Sequence, residues 1–126
     1  YASNFSLGVN IFFDLNKRLA TLMKNQNYKS KIHEIHHTQK LDSPSGTAIT
    51  LAEKMNEILE DETTITSGRI DGTSGIHQIT YSSKVDDIEI KHTANNRNGF
   101  AMGAIMAAEW IIGKKGIYSI KDILTQ

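Results

Sequence analysis

The chain has no cysteine among its 126 residues. Disulfides and thiolate metal sites are therefore excluded, and an intracellular protein is the simpler fit. An excess of charge of either sign is also missing: 14 Lys and Arg are matched by 14 Asp and Glu, for a formal net charge of zero. Broad nucleic-acid binding requires a basic surface, so the balance leaves room only for a small local basic site. No apolar run approaches the roughly 20 residues of a membrane span, and no charged-then-apolar leader opens the chain. Repeats and low-complexity segments are absent. There is no initiator Met; the chain begins Tyr1-Ala2-Ser3-Asn4 and reads as a fragment or a processed product. What remains is an ordinary globular composition, 39% apolar and 22% charged, sufficient for one domain with a modest core.

Hydrophobic spacing organises that domain. Ile11, Leu15, Leu19 and Leu22 recur at helical intervals, widened by Phe12 and Met23, and predict a helix over residues 7–23. Residues 24–28, KNQNY, form a polar turn. Over residues 29–35 the period alone does not decide between helix and strand. A helix follows, with Ser43 expected as N-cap and Pro44 as its first residue. Its apolar stripe is Ala48, Leu51, Ala52, Met55, Ile58 and Leu59. Strands are expected over residues 63–70, 76–82 and 85–92, because Ile79 and Tyr81, then Ile88, Ile90 and His92, alternate with polar residues. Residues 71–75 make a flexible loop and 82–84 permit a hairpin. Residues 100–112, FAMGAIMAAEWII, form a helix that is apolar on nearly every side and stops near Gly113. A short last helix starts at Ser119. The class is α+β, a mixed four-stranded sheet with helices packed on one face.

Residues 33–37, HEIHH, fit the zinc-hydrolase pattern H-E-x-x-H. That pattern works only on a helix, where His33 and His37 share a face and Glu34 serves as base. On a strand the two His lie about 13 Å apart and cannot share an ion. Lys29 to Ile32 are poor helix formers without a cap, which favours the strand, and no further ligand pattern stands out. Metal binding is thus not expected, and the zinc hydrolase is kept as an alternative.

The strand reading suggests an anion site instead. His36 and His37 then lie at a strand end, Lys40 follows in a short loop, and Ser45, Gly46 and Thr47 occupy a helix start. The first N–H groups of a helix lack internal partners and carry partial positive charge. Gly46 allows a ligand close to the backbone, and Ser45 and Thr47 add hydroxyls. A carboxylate or phosphate placed there meets N–H groups, a Lys and one or two His. A His beside a Lys also suits general acid catalysis. Asp42 is read as a loop-ordering residue, since its charge repels an anion.

Residues 34–48, E-I-H-H-T-Q-K-L-D-S-P-S-G-T-A, resemble the signature E-x-H-H-x-x-K-x-D-x-P-S-G-T-A of dihydrodipicolinate reductase, also called 4-hydroxy-tetrahydrodipicolinate reductase. Residues 3–10 look like that family's N-F-S-x-G-V-N hinge. Residues 68–77 and 92–103 look like its R-x-G-x-x-G-x-H and H-x-A-x-x-R-x-x-F-A-x-G-A stretches. The resemblance implies a bacterial, cytoplasmic, tetrameric enzyme of lysine and diaminopimelate synthesis that reduces a cyclic dicarboxylate with NADH or NADPH. A Rossmann half would hold the nucleotide; no G-x-G-x-x-G opening a β–α unit is found in this chain. The implied division is a hinge over 1–8, a substrate-binding and oligomerisation domain over 9–97 whose sheet builds the tetramer, and a segment over 98–126 that returns to the nucleotide domain. By the same resemblance His36 and Lys40 are catalytic, and His37, Ser45, Gly46, Thr47 and Arg97 bind substrate. Ala2, Ser3, Asn4 and Phe5 would touch the nicotinamide end of the cofactor. The isolated chain is then expected to bind a dicarboxylate without turnover. A non-catalytic assembly domain is the other alternative.

Overall fold

The structure, a computed structural model, describes residues 4–125. Helix α1 (Leu7–Met23) begins where the Ser6 hydroxyl accepts the Val9 N–H at 3.4 Å, occupying one donor that a helix start leaves unpaired. A turn through Asn25 and Asn27, both at positive φ, leads to β1 (Lys29–His36). Asn is among the few side-chain-bearing residues that accept that conformation. Then come α2 (Gly46–Leu59), β2 (Thr64–Arg69), β3 (Ile76–Ser82), β4 (Asp87–Thr93), α3 (Asn98–Trp110) and α4 (Ile120–Leu124). The strands form one mixed sheet in the order β2-β1-β3-β4, as the α+β reading expects. β1 and β2 are parallel, joined through α2, and the other pairs are antiparallel.

Register decides what shares a face. Ile32 lies opposite Ile65 and Ile79, and Ile79 opposite Ile90. Phe12, Ala20 and Met23 of α1 and Ala48, Leu51, Ala52 and Met55 of α2 pack on that face, against Ile32, Ile79 and Tyr81. Removing this apolar area from water is the main stabilising contribution. Residues of opposite parity, such as Lys31, Glu89 and Lys91, are exposed.

Four expectations need correction. The α1 stripe is the core face only in part: Phe12 and Met23 are buried and Leu19 packs on the core, but Ile11, Leu15 and Leu22 are about half exposed or more, at 54%, 50% and 64%. The buried face runs through Val9, Asn10, Phe12, Asn16, Ala20 and Met23. Two of its residues are polar because they bond inside the protein. Asn16 accepts the Tyr81 hydroxyl at 2.8 Å, and Asn10 donates to the Ser6 carbonyl at 2.8 Å. The second correction concerns α2, whose cap is Ser45, not Ser43; its hydroxyl takes the Ala48 N–H at 3.2 Å. Pro44 precedes the helix behind a cis peptide bond. The Asp42 carbonyl just before it is engaged elsewhere, by Arg69 at 2.7 Å, so this stretch stays loop. The third is at β4, which starts at Asp87 rather than at residue 85. The Ser83 hydroxyl accepts the N–H groups of Val85 and Asp86, both at 3.1 Å, and the turn closes there.

α3 spans 98–110 instead of 100–112, and the Asn96 side chain accepts the Asn98 N–H at its start. It lies against the N-terminal segment so closely that a Cβ on Gly103 would fall 1.7 Å from the Phe5 carbonyl oxygen. Only glycine fits there. Much of its apolar surface stays exposed, including Met102 at 67% and Ile105 at 58%.

Candidate functional site

Toward the C-terminal end of β1 the inward face of the sheet turns polar. Glu34 lies opposite His77 on β3, which in turn lies opposite His92 on β4; His36 lies opposite Arg69 on β2. Glu34 is completely buried. One of its oxygens takes the Arg69 Nη1–H at 2.9 Å and the other meets His36 Nδ1. Arg69 also donates to the Gly68 carbonyl and, through Nη2, to the Asp42 carbonyl at 2.7 Å. Buried polar groups are tolerable only when so paired.

Burial alone would raise the Glu34 carboxyl, but hydrogen bonds from Arg69, Ser67 and His36 outweigh it and hold the group below its ordinary value. Burial pushes the His36 imidazole below its usual pKa; the Glu34 carboxylate opposes this, and Lys40 and Arg69 reinforce it. His77 is pushed down to about 4, mainly by burial and then by His36 beside it. Its Nε2 is 3.2 Å from the Ser45 hydroxyl, and its ring stands edge-on to His36 with centroids 5.0 Å apart. Burial also lowers His92.

The strand geometry removes the H-E-x-x-H reading. His33 and Glu34 point to opposite faces of β1, and His33 Nδ1 pairs with the Thr66 hydroxyl at 2.6 Å on the outer one. His37 instead meets Arg97, with Nε2 to Nη2 at 3.1 Å. Another donor set does converge: atoms of Glu34, His36 and His77 lie within 4.8 Å of one another. Arg69 is bonded to that Glu34, and the charge of Lys40 bears on both His. A cation would have to displace the first and withstand the second, so the set suits a proton better than a metal.

A cleft of about 660 Å³ opens beside this network. His36, His37 and Lys40 line it from the β1–α2 connection. Ser45, Gly46 and Thr47 line it from the start of α2, and Arg97, Asn4 and Phe5 from the other side. The described residues that the family resemblance assigned to catalysis, substrate and cofactor therefore meet in one place; Ala2 and Ser3 lie outside the described residues. Ser45 is 2% exposed and its hydroxyl is engaged as the cap. No atom lies within 4 Å of a Cβ built on Gly46, so the helix start is open to a ligand. The Lys40 ammonium lies 3.1 Å from the Asp42 carboxylate. Lys40, then the backbone N–H groups of Asp42 and Gly46, hold that carboxyl below its ordinary pKa. Asn4 is committed to local structure, its Oδ1 accepting the Ser6 N–H at 2.8 Å and its carbonyl the Asn10 side chain at 2.9 Å.

Sequence reasoning assigned no role to Arg69, His77 or His92, and gave Glu34 one only as the base of the H-E-x-x-H alternative. Glu34 and His36 could have been found together, since residues two apart on a strand share a face. Arg69 and His77 are brought in by strand pairing across 33 and 43 residues, which spacing does not reveal. The Arg69 stretch also runs R-I-D-G-T-S-G-I-H, one residue longer before Gly72 than the expected pattern.

Comparison with known proteins agrees along the whole chain. Residues 8–124 match the family described as dihydrodipicolinate reductase, C-terminus. The 4-hydroxy-tetrahydrodipicolinate reductase of Christiangramia forsetii is 51% identical over 138 residues, covering 99% of this chain and 58% of that protein. The Thermosipho africanus protein of the same name is 44% identical, covering 98% of this chain and 54% of its own length. Among solved structures, dipicolinate-bound dihydrodipicolinate reductase from Paenisporosarcina sp. TG-14 superposes with a TM-score of 0.71 at 26% identity, over 97% of this chain and 53% of that one. The chain thus spans about half the length of the relatives it matches.

Proposed function

The chain belongs to the C-terminal family of dihydrodipicolinate reductase, and on that premise we propose that it is the substrate-binding half of such an enzyme. The reaction is reduction of 4-hydroxy-tetrahydrodipicolinate to tetrahydrodipicolinate with NADH or NADPH, in cytoplasmic lysine and diaminopimelate synthesis. The observation that carries this reading is the convergence of Lys40, His36, His37 and Arg97 with the open start of α2 in one cleft. A dicarboxylate needs cations and N–H donors at both ends, and these residues supply them. Asp42 supports the assignment, because it already presents a carboxylate to Lys40 and Gly46.

Replacing the ring hydroxyl by hydrogen consumes a hydride and a proton and releases water. The nicotinamide, when bound, supplies the hydride. Of the cofactor-side residues, Asn4 and Phe5 line the cleft and fit the nicotinamide end alone; the phosphates need the nucleotide-binding half. Lys40 and Arg97 offset the substrate's two negative charges. His36 holds or accepts a proton, and Lys40 Nζ delivers one to the reduced ring. Gly46 and Thr47 hold a carboxylate through backbone N–H groups.

The proposed organisation is a hinge over 1–8, a substrate-binding and oligomerisation unit over 9–97, and a segment over 98–126 that packs on the nucleotide-binding half. The exposed apolar residues of α3 favour that last assignment. A tetramer through the sheet is the expected assembly, and sedimentation of this chain as a monomer alone would refute it. The decisive test is an NMR titration of the metal-free chain with pyridine-2,6-dicarboxylate. His36 and His37 ring signals should shift, without NAD(P)H oxidation by the chain. Unmoved rings would remove the substrate assignment.

A further inference from the structure

We infer that Glu34 and Arg69 are positioning residues: Glu34 fixes the proton of His36 on Nδ1 and leaves Nε2 for the cleft, while Arg69 ties that pair to the loop bearing Lys40. The inference rests on the reading of His36 and Lys40 as the working residues of the cleft. An ionised carboxylate only accepts hydrogen bonds. Glu34 is fully buried with Arg69 on one oxygen and His36 Nδ1 on the other. A neutral imidazole in that arrangement must carry its proton on Nδ1. Nε2 is then a lone pair, and it sits at the cleft wall, where a Cβ on Gly75 would lie 3.3 Å away. Gly75 has φ +139 and no side chain, so the ring edge stays accessible.

Arg69 has a second duty. The same guanidinium that holds Glu34 reaches the Asp42 carbonyl at 2.7 Å, two residues past Lys40. It fastens the β1–α2 loop to the floor of the cleft through two nitrogens, which a lysine's single ammonium cannot reproduce. Charged and titratable groups face His36 from every neighbouring strand: Glu34 on β1, Arg69 on β2, and His77 on β3 with His92 behind it on β4. Lys40 faces it from the loop. Among them only Glu34 is an anion, so it alone can stabilise an imidazolium when a dicarboxylate arrives.

Glu34→Gln separates this role from shape. Arg69 donates only, so the Gln oxygen must stay on Arg69. The amide NH2 then faces His36 Nδ1, which becomes an acceptor, and the ring proton moves to Nε2. The test is the 15N–1H ring spectrum of His36 at pH 7.5 in the wild-type chain, Glu34→Gln and Arg69→Lys. It is paired with calorimetric titration of pyridine-2,6-dicarboxylate in two buffers of different ionisation enthalpy. The expected wild-type ring is Nδ1–H, with proton uptake on binding. Glu34→Gln should show the Nε2–H ring and lose that uptake. Arg69→Lys should keep the Nδ1–H ring but weaken binding roughly tenfold, about the worth of one charge-assisted hydrogen bond.

An Nε2–H ring in the wild type overturns the inference, as does an unchanged ring in Glu34→Gln. If Glu34→Gln does not fold, Nδ1–H in both wild type and Arg69→Lys supports the inference and Nε2–H in either overturns it. The ring tautomer is read without ligand. A wild-type chain that shows Nδ1–H yet binds no dicarboxylate therefore sinks the substrate reading and leaves the positioning pair standing.

Discussion

The inward face of the sheet has two halves built on the same strands with the same parity. In one half Ile32, Ile65, Ile79 and Ile90 sit in register under α1 and α2. Two residues along each of β1, β3 and β4, about 6.6 Å away, the occupants are Glu34, His77 and His92, with His36 and Arg69 one step further on. The backbone does not distinguish these halves; the side chains do. The apolar half is stabilised by burial and depends on volume. The polar half bears a desolvation cost that is offset by complete pairing: among the described residues no buried side-chain nitrogen or oxygen lacks a partner. One sheet face thus serves as core and as site, and stability and chemistry should separate along it.

The largest separation is expected from Met55→Ala. Met55 is completely buried in the apolar half, and removing it should cost about 2–5 kcal/mol through lost transfer energy and the cavity left behind. Urea unfolding measures the loss. Affinity for pyridine-2,6-dicarboxylate, tested below the shifted midpoint, should stay within about twofold. A large drop in affinity would mean that the halves are not independent.

Acid should act on the other half. His77 has a folded pKa of about 4 against an ordinary 6.5. The unfolded chain therefore takes up the proton first as pH falls. The stability associated with neutral His77 is fully present above about pH 6.5 and is lost progressively down to about pH 4, on the order of 3 kcal/mol. His36 and His92, also lowered, act in the same direction. Glu34, lowered as a carboxylate, extends the loss below the ordinary carboxyl range. Urea midpoints at pH 7.5 and 4.5 would show this, and His77→Gln should flatten the difference. Equal midpoints in the wild type would contradict the buried, neutral assignment.

A smaller and opposite split is expected from Lys40→Ala. Its pair with Asp42 is partly exposed, 27% and 58% for the two side chains, and such pairs contribute at most about 1 kcal/mol to stability. The unfolding midpoint should barely move. Dicarboxylate affinity should fall about 10- to 150-fold, the loss of one charge-assisted hydrogen bond worth roughly 1.5–3 kcal/mol. An unfolding shift without an affinity shift would place Lys40 in the scaffold and not in the cleft.

The two halves also differ in how readable they were. The positions of β3 and most of β4 and the α2 stripe followed from period, because apolar alternation is local information; β1 did not. The face of α1 did not. Its core side carries Asn10 and Asn16, and the Tyr81 hydroxyl that makes Asn16 acceptable lies 65 residues away. Hydrophobic counting therefore centred the stripe on Ile11, Leu15, Leu19 and Leu22, with Phe12 and Met23 only at its edge. The cleft residues His36, Lys40, Gly46 and Thr47 were legible because they fall within twelve consecutive positions whose chemistry reads together. Their supports were not. Glu34 was read only as the base of the H-E-x-x-H alternative, since alternation reports only which face a residue occupies. Arg69 and His77 reach the site by pairings 35 and 43 residues from Glu34, and nothing local announces them; Arg97, named only through the family resemblance, meets His37 across 60 residues.

Asp42→Asn gives the smallest and most specific effect. Asp42 was read as repelling an anion; in the structure its carboxylate sits on Lys40, with the Gly46 N–H also favouring its charge. A bound carboxylate must take over these donors, so the resident charge competes with the ligand. Removing the charge while keeping the shape should raise dicarboxylate affinity. The gain is bounded by the worth of an exposed ion pair, no more than about fivefold in affinity. It should shrink as salt rises from low to physiological strength, because the competition is electrostatic and exposed. Isothermal titration at two salt concentrations decides the matter. A tighter variant whose advantage fades with salt identifies Asp42 as an occupant of the carboxylate position. A weaker variant shows that Asp42 orders the loop for the ligand, and the anion position then lies deeper, toward His37 and Arg97.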